Sequence, residues 1–429
     1  MPERLIRSDV TDADLQLAMD TVDDGTTLIV EGDRTATIFT VTRSNLTIKS
    51  DPKAVFDRFR LFGEPGNIVL HGLKFERNTP PDSNSYFAVH LQSVKKLQIV
   101  DCEFTGHGYI YGVRGSNNSE ADGILIKNCH FHELENIPIY LMANNIEIVG
   151  NHAHDCYKTA DPTGFVDVDM INAVGENILI EGNIHHGFSP IDSRSKHFAG
   201  KGGGAVSAHT YMGPPHCDFF QTFTVWKDIA QTIPWPTNNL TIRKNLVYEL
   251  WGNSVILESD RLGDLGPPNI TNVVIEDNDF YTYGDYQSIN LRGVQGLKIR
   301  NNRFGMASHP PVPGEADING NFFRTSTIQG GRFVWIQHGS DKNDQFNNLV
   351  AGSHVNDDIE IYKNHFFGGT TAAIIEGQDD FGATNWRMWD NIRINGDIDR
   401  AIAGVYLDGI DRSTNYGTWP LLGGDRGSC

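Results

Sequence analysis

Two short stretches of the sequence, DVDMIN (167–172) and HCDFFQ (216–221), repeat one pattern: a polar residue, any residue, an aspartate, two apolar residues and an amide. The two stretches begin 49 positions apart. Carboxylates and imidazoles serve as acids, bases and nucleophiles, so we expect Asp169, Asp218 and His216 to be catalytic if the fold brings them together. Carboxylates about 5 Å apart suit a retaining glycosidase, and a gap of roughly 6.5 to 9.5 Å suits an inverting one. Since an imidazole titrates near neutrality, His216 could act as a general base.

The same acids could instead bind a metal. Asp167, Asp169 and Asp218 would then be oxygen ligands of Ca²⁺, which we treat as an optional cofactor and not a required one. For any single acid, a structural role in capping strands and turns remains the alternative.

Nearby polar residues would contact a substrate. Those expected to do so are Gln221, Glu258, Arg261, Arg194, Lys201 and Asn172. Arg194 and Lys201 belong to the basic, glycine-rich segment IDSRSKHFAGKGGG (191–204). Its cations could hold the carboxylates or sulfates of an anionic glycan.

A repeated phrase indicates which elements would position these residues. The phrase is an Ile or Leu, one residue, an Ile, two residues and a polar residue, as in NIEIVGN (145–151) and NLTIRKN (239–245). Its second isoleucine recurs at Ile99, Ile126, Ile148, Ile180, Ile242, Ile275, Ile299, Ile361 and Ile394. Most spacings lie between 22 and 33 residues, and two spacings of 62 are interpreted as two turns each. A period of this size is typical of stacked repeats, and the alternation within the phrase indicates strands.

A polar column accompanies the isoleucines. A polar residue or a cysteine stands three positions after each of these isoleucines, which we call the marker isoleucines, and most of these residues are followed two positions later by Phe or Val. The column consists of Cys102, Cys129, Asn151, Asn183, Asn245, Asn278, Asn302, Asn364 and Asp397. If turns stack about 4.8 Å apart, these amides form a ladder and satisfy one another's hydrogen bonds. The pattern predicts a parallel β-helix.

The beginning of the chain fits this prediction. TDADLQLAMDTVDDGTTLIVEGD (11–33) predicts a helix at about residues 11–22 and then the strand TLIV, with SNLTIKS (44–50) as the first turn of the repeat. A helix there would cover the open edge of the sheet.

The helix, strand and amide ladder resemble the right-handed parallel β-helix superfamily, which includes pectate and alginate lyases, polygalacturonase-like hydrolases, C5-epimerases and phage tailspikes. The resemblance covers roughly residues 11–410. It implies an all-β, right-handed parallel β-helix solenoid of roughly 11–13 turns with a short N-terminal capping helix. The expected organisation is a cap (1–25), the β-helix (26–410) with a long loop (187–215), and a C-terminal tail (411–429).

A second strand in each turn would carry the site. Because side chains alternate between faces, its last position should form an outward stripe. The stripe would contain Asn172, Gln221, Glu258, Arg292, Gln337, Glu376 and Asp408.

The composition of the chain limits the classes of partner that it is expected to bind. The net charge of −19 disfavours binding to nucleic acid and to anionic membranes. No apolar run approaches the roughly 20 residues that span a bilayer, and the start of the chain shows no secretory signal.

Five cysteines without metal-binding spacing predict buried thiols. The histidine pairs 130/132, 152/154 and 185/186 are interpreted as a ladder of turn residues, with metal ligation as the alternative.

Two functions remain. The first is a polysaccharide-processing enzyme, a lyase or glycosidase, which acts on an anionic glycan in a groove on the outer face and could be a phage spike depolymerase. The alternative is a non-catalytic virion spike that binds a glycan or receptor. Either would be found in a phage virion or outside the cell, with a homotrimer or other virion proteins as expected partners.

Overall fold

In the computed structural model, the described residues are 2–50, 52–79, 87–115, 121–156, 169–186, 218–223, 235–250, 252–259, 270–283, 288–307, 333–336, 356–367, 374–376, 385 and 387–394. They contain one helix, Asp12–Thr21, and otherwise consist of strands and turns. The chain divides into two compact units. The first comprises residues 1–156, 171–184 and 225–240, and the second comprises 157–170, 185–224 and 241–429.

The first unit has three columns of parallel strands. The first column holds Glu3–Ile6, Thr27–Val30, Leu46–Lys49, Gly66–His71, Lys95–Val100, Ala121–Lys127, the end of Ile137–Val149, and Glu176–Glu181. The second holds the start of Val55–Leu61, then Lys74–Glu76, Glu103–Thr105, His130–His132 and His152–His154. The third holds Arg34–Val41, the end of Val55–Leu61, Phe87–Leu91, Tyr111–Gly115, the start of Ile137–Val149, and Ile171–Val174.

The second unit also has three columns of parallel strands. The first holds Ile270–Glu276, Val294–Arg300, Asp357–Tyr362 and Arg387–Trp389. The second holds Leu246–Leu250, Asp279–Tyr283, Arg303–Ala307, His365–Phe367 and Ile392–Ile394. The third holds Phe220–Phe223, Val255–Glu258, Ile289–Arg292, Val334–Ile336 and Ile374–Glu376. The remaining described strands are Ile184–His186 and Thr237–Arg243. The all-β, parallel β-helix prediction is confirmed.

Buried isoleucines and stacked rings form the core. In the first unit Ile99 pairs with Ile126, and Ile126 with Ile148, and all three are fully buried. Phe104 and Phe131 stack with their ring centroids 4.6 Å apart. Each such side chain contributes roughly 1.5–3 kcal/mol when it is removed from water.

The amide ladder is present in both units. In the first unit the backbone N–H of Asn151 donates to Asn183 Oδ1 at 2.9 Å. In the second unit the same bond recurs at 3.0 to 3.1 Å: each backbone N–H donates to the side-chain oxygen of the asparagine on the next turn. The donors are Asn245, Asn278, Asn302 and Asn364, and the last acceptor is Asn391.

The residue immediately before each ladder asparagine or cysteine turns the chain at the corner. It has a positive φ of 53° to 66° wherever the ladder is described, as at Asp101, Asn128, Gly150, Gly182, Lys244, Asp277, Asn301, Lys363 and Asp390. Gly, Asn and Asp tolerate this left-handed backbone best, which accounts for their frequency in the repeated phrase.

Two details of the predicted repeat are wrong. Ile361 pairs with Met388 and not with Ile394, and Asn364 is followed in the ladder by Asn391 and not by the predicted Asp397, which lies outside the described residues. The phrase IRIN imitates the repeat, but the left-handed residue Asp390 places the turn earlier, and Ile392–Ile394 belongs to the second column.

The 62-residue spacings are single turns and not pairs of turns. Ile299 pairs directly with Ile361, and Asn239 Nδ2 donates to Asn177 Oδ1 at 3.0 Å across 62 residues. Long excursions are tolerated because the entropy of closing a loop rises only slowly with its length.

The predicted N-terminal helix is confirmed, with Thr11 as its N-cap. Its Gln16 side chain accepts from the backbone N–H of Thr40 at 2.9 Å and donates to the carbonyl of Thr40 at 2.8 Å, so the helix satisfies edge groups of the third column. The sequence analysis missed the strand Glu3–Ile6, which pairs with Thr27–Val30 and precedes the proposed first turn.

Two further sequence predictions concern the thiols and the membrane. Cys102, Cys129 and Cys156 are free, buried thiols as expected, while Cys217 and Cys429 lie outside the described residues. Within the described part of the chain, no helix has the length and apolarity to cross a membrane. The predicted loop 187–215 and tail 411–429 also lie outside that part.

Candidate functional site

Asp169 and Asp218 lie on adjacent turns but do not face outward. The backbone N–H of Asp218 donates to Asp169 Oδ1 at 3.1 Å, and both side chains are fully buried. Asp218 Oδ1 in turn accepts from the backbone N–H of Asn253 at 2.6 Å and from its Nδ2 at 3.1 Å. The three residues form a second ladder at another corner of the coil. This explains why the acidic phrase occurs twice, while the catalytic role of the two aspartates stays a prediction.

The structure describes only some of the other predicted site residues. His216, Asp167, Arg194, Lys201 and Arg261 lie outside the described residues. Asn172 is 3% exposed and pairs with Tyr140 in the first unit.

The predicted outward stripe of the second unit is out of register. Gln221 pairs with Ile256, and Phe223 pairs with Glu258, because the Asp218–Asn253 ladder sets the alignment two positions from the one expected. Glu258 pairs with Arg292 and forms an ion pair with it at 3.7 Å. Glu376 pairs with Ile336, the register partner of Leu291, and so is also displaced from the stripe. Gln337 and Asp408 lie outside the described residues.

The calcium prediction depends on the same aspartates. Ca²⁺ takes six to eight oxygen ligands, whereas one oxygen of Asp169 and one of Asp218 already accept backbone N–H groups. Within the described residues, neither aspartate belongs to a group of three or more side chains at metal-binding distance. Calcium binding stays a prediction that depends on Asp167.

A different cluster stands out on the third column of the first unit. Arg60 pairs with His90, His90 pairs with Arg114, and Arg114 pairs with Tyr140. We call Arg60, His90 and Arg114, with the rings of Phe87, Tyr111 and Tyr140, the arginine face. Neighbouring strands lie about 4.8 Å apart, so its side chains form a continuous row across four turns.

Strand alternation places this row on the outside. The residues next to it in the chain, such as Phe59, Val89 and Val113, are fully buried. Arg60 is exposed and His90 and Arg114 are half-buried. The apolar positions anchor each strand in the core and thereby direct the row away from it.

Aromatic rings hold the central arginine. The Arg114 guanidinium lies 4.7 Å from the centroid of the Tyr111 ring and 6.0 Å from that of Tyr140. The Phe87 and His90 rings are 4.3 Å apart. Within the described residues neither Arg60 nor Arg114 forms an ion pair with a carboxylate. A guanidinium stacked on rings keeps its N–H edge available for a planar anion.

The charges of the arginine face are not cancelled locally. Burial, and then repulsion by Arg114 and Arg60, lowers the pKa of His90 to about 4, so its imidazole is neutral at neutral pH. Arg58 lies two residues before Arg60, but it shares Asp57 with Arg77 at 3.2 and 3.0 Å. In a chain with a net charge of −19, Arg60 and Arg114, which form no ion pair with a carboxylate among the described residues, form a local positive surface on either side of His90.

Comparison with known proteins supports the fold. No family model matches the sequence, and no curated protein matches it. The crystal structure of the Dettilon tailspike protein is 14% identical over 89% of this chain and 65% of the tailspike, with a TM-score of 0.56. The chain thus spans just under two thirds of that tailspike.

Two further structures are more distant. An alginate lyase from Paenibacillus sp. str. FPU-7 is 11% identical over 91% of this chain and 95% of the lyase, with a TM-score of 0.37. The catalytic domain of a GH87 alpha-1,3-glucanase is 8% identical over 85% of this chain and 64% of that domain, with a TM-score of 0.48. At 14% identity, the likeness to the tailspike is one of fold, and function has to be argued from the site.

Proposed function

We propose that the protein is a polysaccharide-processing protein that binds an anionic glycan on the arginine face. The observation that carries this proposal is the row Arg60–His90–Arg114, in which two arginines that have no carboxylate partner among the described residues flank a neutral imidazole. Arginine binds carboxylates and sulfates through paired hydrogen bonds. Tyr111 and Tyr140 offer flat apolar surfaces to the sugar rings beside them.

The same row has the groups for β-elimination at a uronate. Arg60 and Arg114 would bind the substrate carboxylate and so acidify the adjacent C5–H bond. His90 would accept the C5 proton, because its imidazole is neutral. The electron pair would form a C4=C5 double bond as the C4–O bond breaks, and Tyr140 would donate a proton to the departing oxygen. The four residues lie on successive paired strands in the order Arg60, His90, Arg114 and Tyr140, so the base lies between the two arginines and the proton donor lies next to Arg114.

Glycoside hydrolysis has weaker support among the described residues. It requires two carboxyl groups that reach the glycosidic oxygen and the anomeric carbon. Asp169 and Asp218 are fully buried and engaged in the corner ladder. The set Asp169, Asp218 and His216 therefore serves as the competing catalytic proposal.

The alternative is a non-catalytic glycan-binding spike. It is supported by the fold likeness to a tailspike, and it would use the same arginine face to bind without cleavage. In both cases we propose a virion or extracellular location, and a homotrimer or other virion proteins as partners.

The test is a panel of uronate-containing and neutral polysaccharides incubated with the full chain. We expect ultraviolet absorbance from the unsaturated product of at least one uronate polymer. We also expect a loss of about 10²-fold or more in rate for His90→Gln. The matched control is Arg43→Gln, which removes a half-buried arginine of the same unit that is paired with Asp24 and should leave the rate unchanged.

Each other outcome selects a different function. New reducing ends without ultraviolet absorbance, abolished by Asp218→Asn, would favour the glycosidase set. Binding without any product would favour the spike. If no anionic glycan binds or reacts, the proposal is wrong.

A further inference from the structure

Three histidines of the first unit converge on the second column of strands, away from the residues of the arginine face. Glu103 pairs with His130, and His130 pairs with His152, while His132 on the same strand pairs with His154. The intervening Phe131 and Ala153 are fully buried, so the imidazoles lie on the outside, where they are half-buried.

The ligand atoms of His130, His152 and His154 all lie within 4.8 Å of one another. His130 Nε2 and His154 Nε2 are 2.7 Å apart. Around one tetrahedral ion with metal–nitrogen distances of about 2.0–2.1 Å, ligand nitrogens are separated by about 3.3 Å. The shortest of these separations is below that value and the upper limit is above it, so the three rings are close enough to share one ion.

Neighbouring groups orient two of the rings. His154 Nδ1 lies 2.9 Å from Asp155 Oδ2, which directs its Nε2 toward His130. A carboxylate behind a histidine ligand is the usual partner of metal-binding imidazoles. His132, by contrast, is engaged at both nitrogens, by Thr105 Oγ1 at 3.2 Å and by Glu103 Oε1 at 3.5 Å.

Carboxylates lie beside the cluster. Glu103 is the register partner of His130 on the neighbouring strand, and Asp155 Oδ2 lies 2.9 Å from His154 Nδ1. Negative groups at this distance favour a cation over an anion.

We propose that His130, His152 and His154 form a binding site for a transition-metal dication of the zinc class, with a fourth coordination position open. Neutral imidazoles suit Zn²⁺, Cu²⁺ and Ni²⁺, whereas Ca²⁺ and Mg²⁺ take oxygen ligands. Three protein ligands with an open position are typical of sites where a water or a substrate binds the metal. Asp155 is the positioning residue of His154.

The experiment is a titration of the chelator-treated full chain with ZnCl₂ by calorimetry and equilibrium dialysis. We expect one Zn²⁺ per chain at this site, and at least 100-fold weaker binding for the double variant His152→Gln, His154→Gln. Asp155→Asn should weaken binding about tenfold. The matched control is His71→Gln, because His71 also lies beside a carboxylate, Asp101 at 3.2 Å, but is exposed and belongs to no group of three metal-binding side chains among the described residues.

Co²⁺ gives an independent readout. The wild type loaded with Co²⁺ should show the visible absorption of a tetrahedral site, and the double variant should not. Circular dichroism in chelator verifies that the variants are folded, and Asp155→Asn keeps all three ligands in place. The proposal is overturned if the wild type binds no Zn²⁺, if the double variant binds it as the wild type does, or if Ca²⁺ competes at equal concentration.

Discussion

Replacement of Asn278 tests the ladder that sets the register of the second unit. Asn278 is fully buried. Its Oδ1 accepts from the backbone N–H and the Nδ2 of Asn245 at 3.0 and 2.9 Å, and its Nδ2 donates to the carbonyl of Ile242 at 2.9 Å. Asn278→Ala leaves three buried polar groups without these partners. At about 1–1.5 kcal/mol for each of them, the free energy of unfolding should fall by about 4 kcal/mol.

Asn278→Cys is the matched variant, because cysteine already occupies this column elsewhere. Cys129 Sγ donates to the carbonyl of Ile99 at 3.5 Å, as the asparagine amide does on its own rung. The thiol should therefore recover the bond to Ile242 but not those from Asn245, for a loss of about 2 kcal/mol. Equilibrium unfolding in urea, followed by fluorescence, measures both variants. Equal losses for Ala and Cys, or a loss below about 1 kcal/mol for Ala, would refute the reasoning.

Three other outcomes are expected. Gly175 has φ +148°, and a Cβ there would lie 1.6 Å from a backbone oxygen. Gly175→Ala should therefore lower the free energy of unfolding by more than about 3 kcal/mol. The control Gly25→Ala, where nothing lies within 4 Å of the added Cβ, should lower it by about 1 kcal/mol. The lowered pKa of His90, about 4 against 6.5 when unfolded, means that the unfolded chain binds more protons between these values. Stability should be fullest above pH 6.5 and decline as the pH falls toward about 4, and His90→Gln should flatten that decline in denaturation midpoints. Gln16→Ala removes both hydrogen bonds to Thr40 and should lower the free energy of unfolding by about 1–2 kcal/mol. It should also increase aggregation, measured by light scattering, because the helix protects the edge of the sheet. Unchanged aggregation would contradict that protective role.

The repeat was predictable from sequence because the side chains that form it recur at a fixed local spacing. A marker isoleucine, a left-handed residue and an amide follow one another within four positions, and the ladder depends on that spacing alone. The phrase IRIN was misassigned because alternation cannot distinguish the columns, whereas the turn at Asp390 can.

The arginine face could not be predicted in the same way. Arg60, His90 and Arg114 share a register only after loops of unequal length are closed, so their distances from the next marker phrase differ. The burial of Asp169 and Asp218 was missed for a related reason. Their positions resemble strand ends, but they stand at a corner, where a carboxylate oxygen can replace the amide oxygen of the main ladder.

The central claim is that the arginine face recognises the negative charge of a glycan. The most direct measurement compares the binding of one uronate polymer with that of its carboxyl-reduced form, for the wild type and for the double variant Arg60→Gln, Arg114→Gln. The account predicts that the wild type binds only the charged polymer, that rising salt weakens this binding, and that the double variant loses it while remaining folded. Equal binding of both polymers by the wild type, or unchanged binding by the double variant, would contradict it.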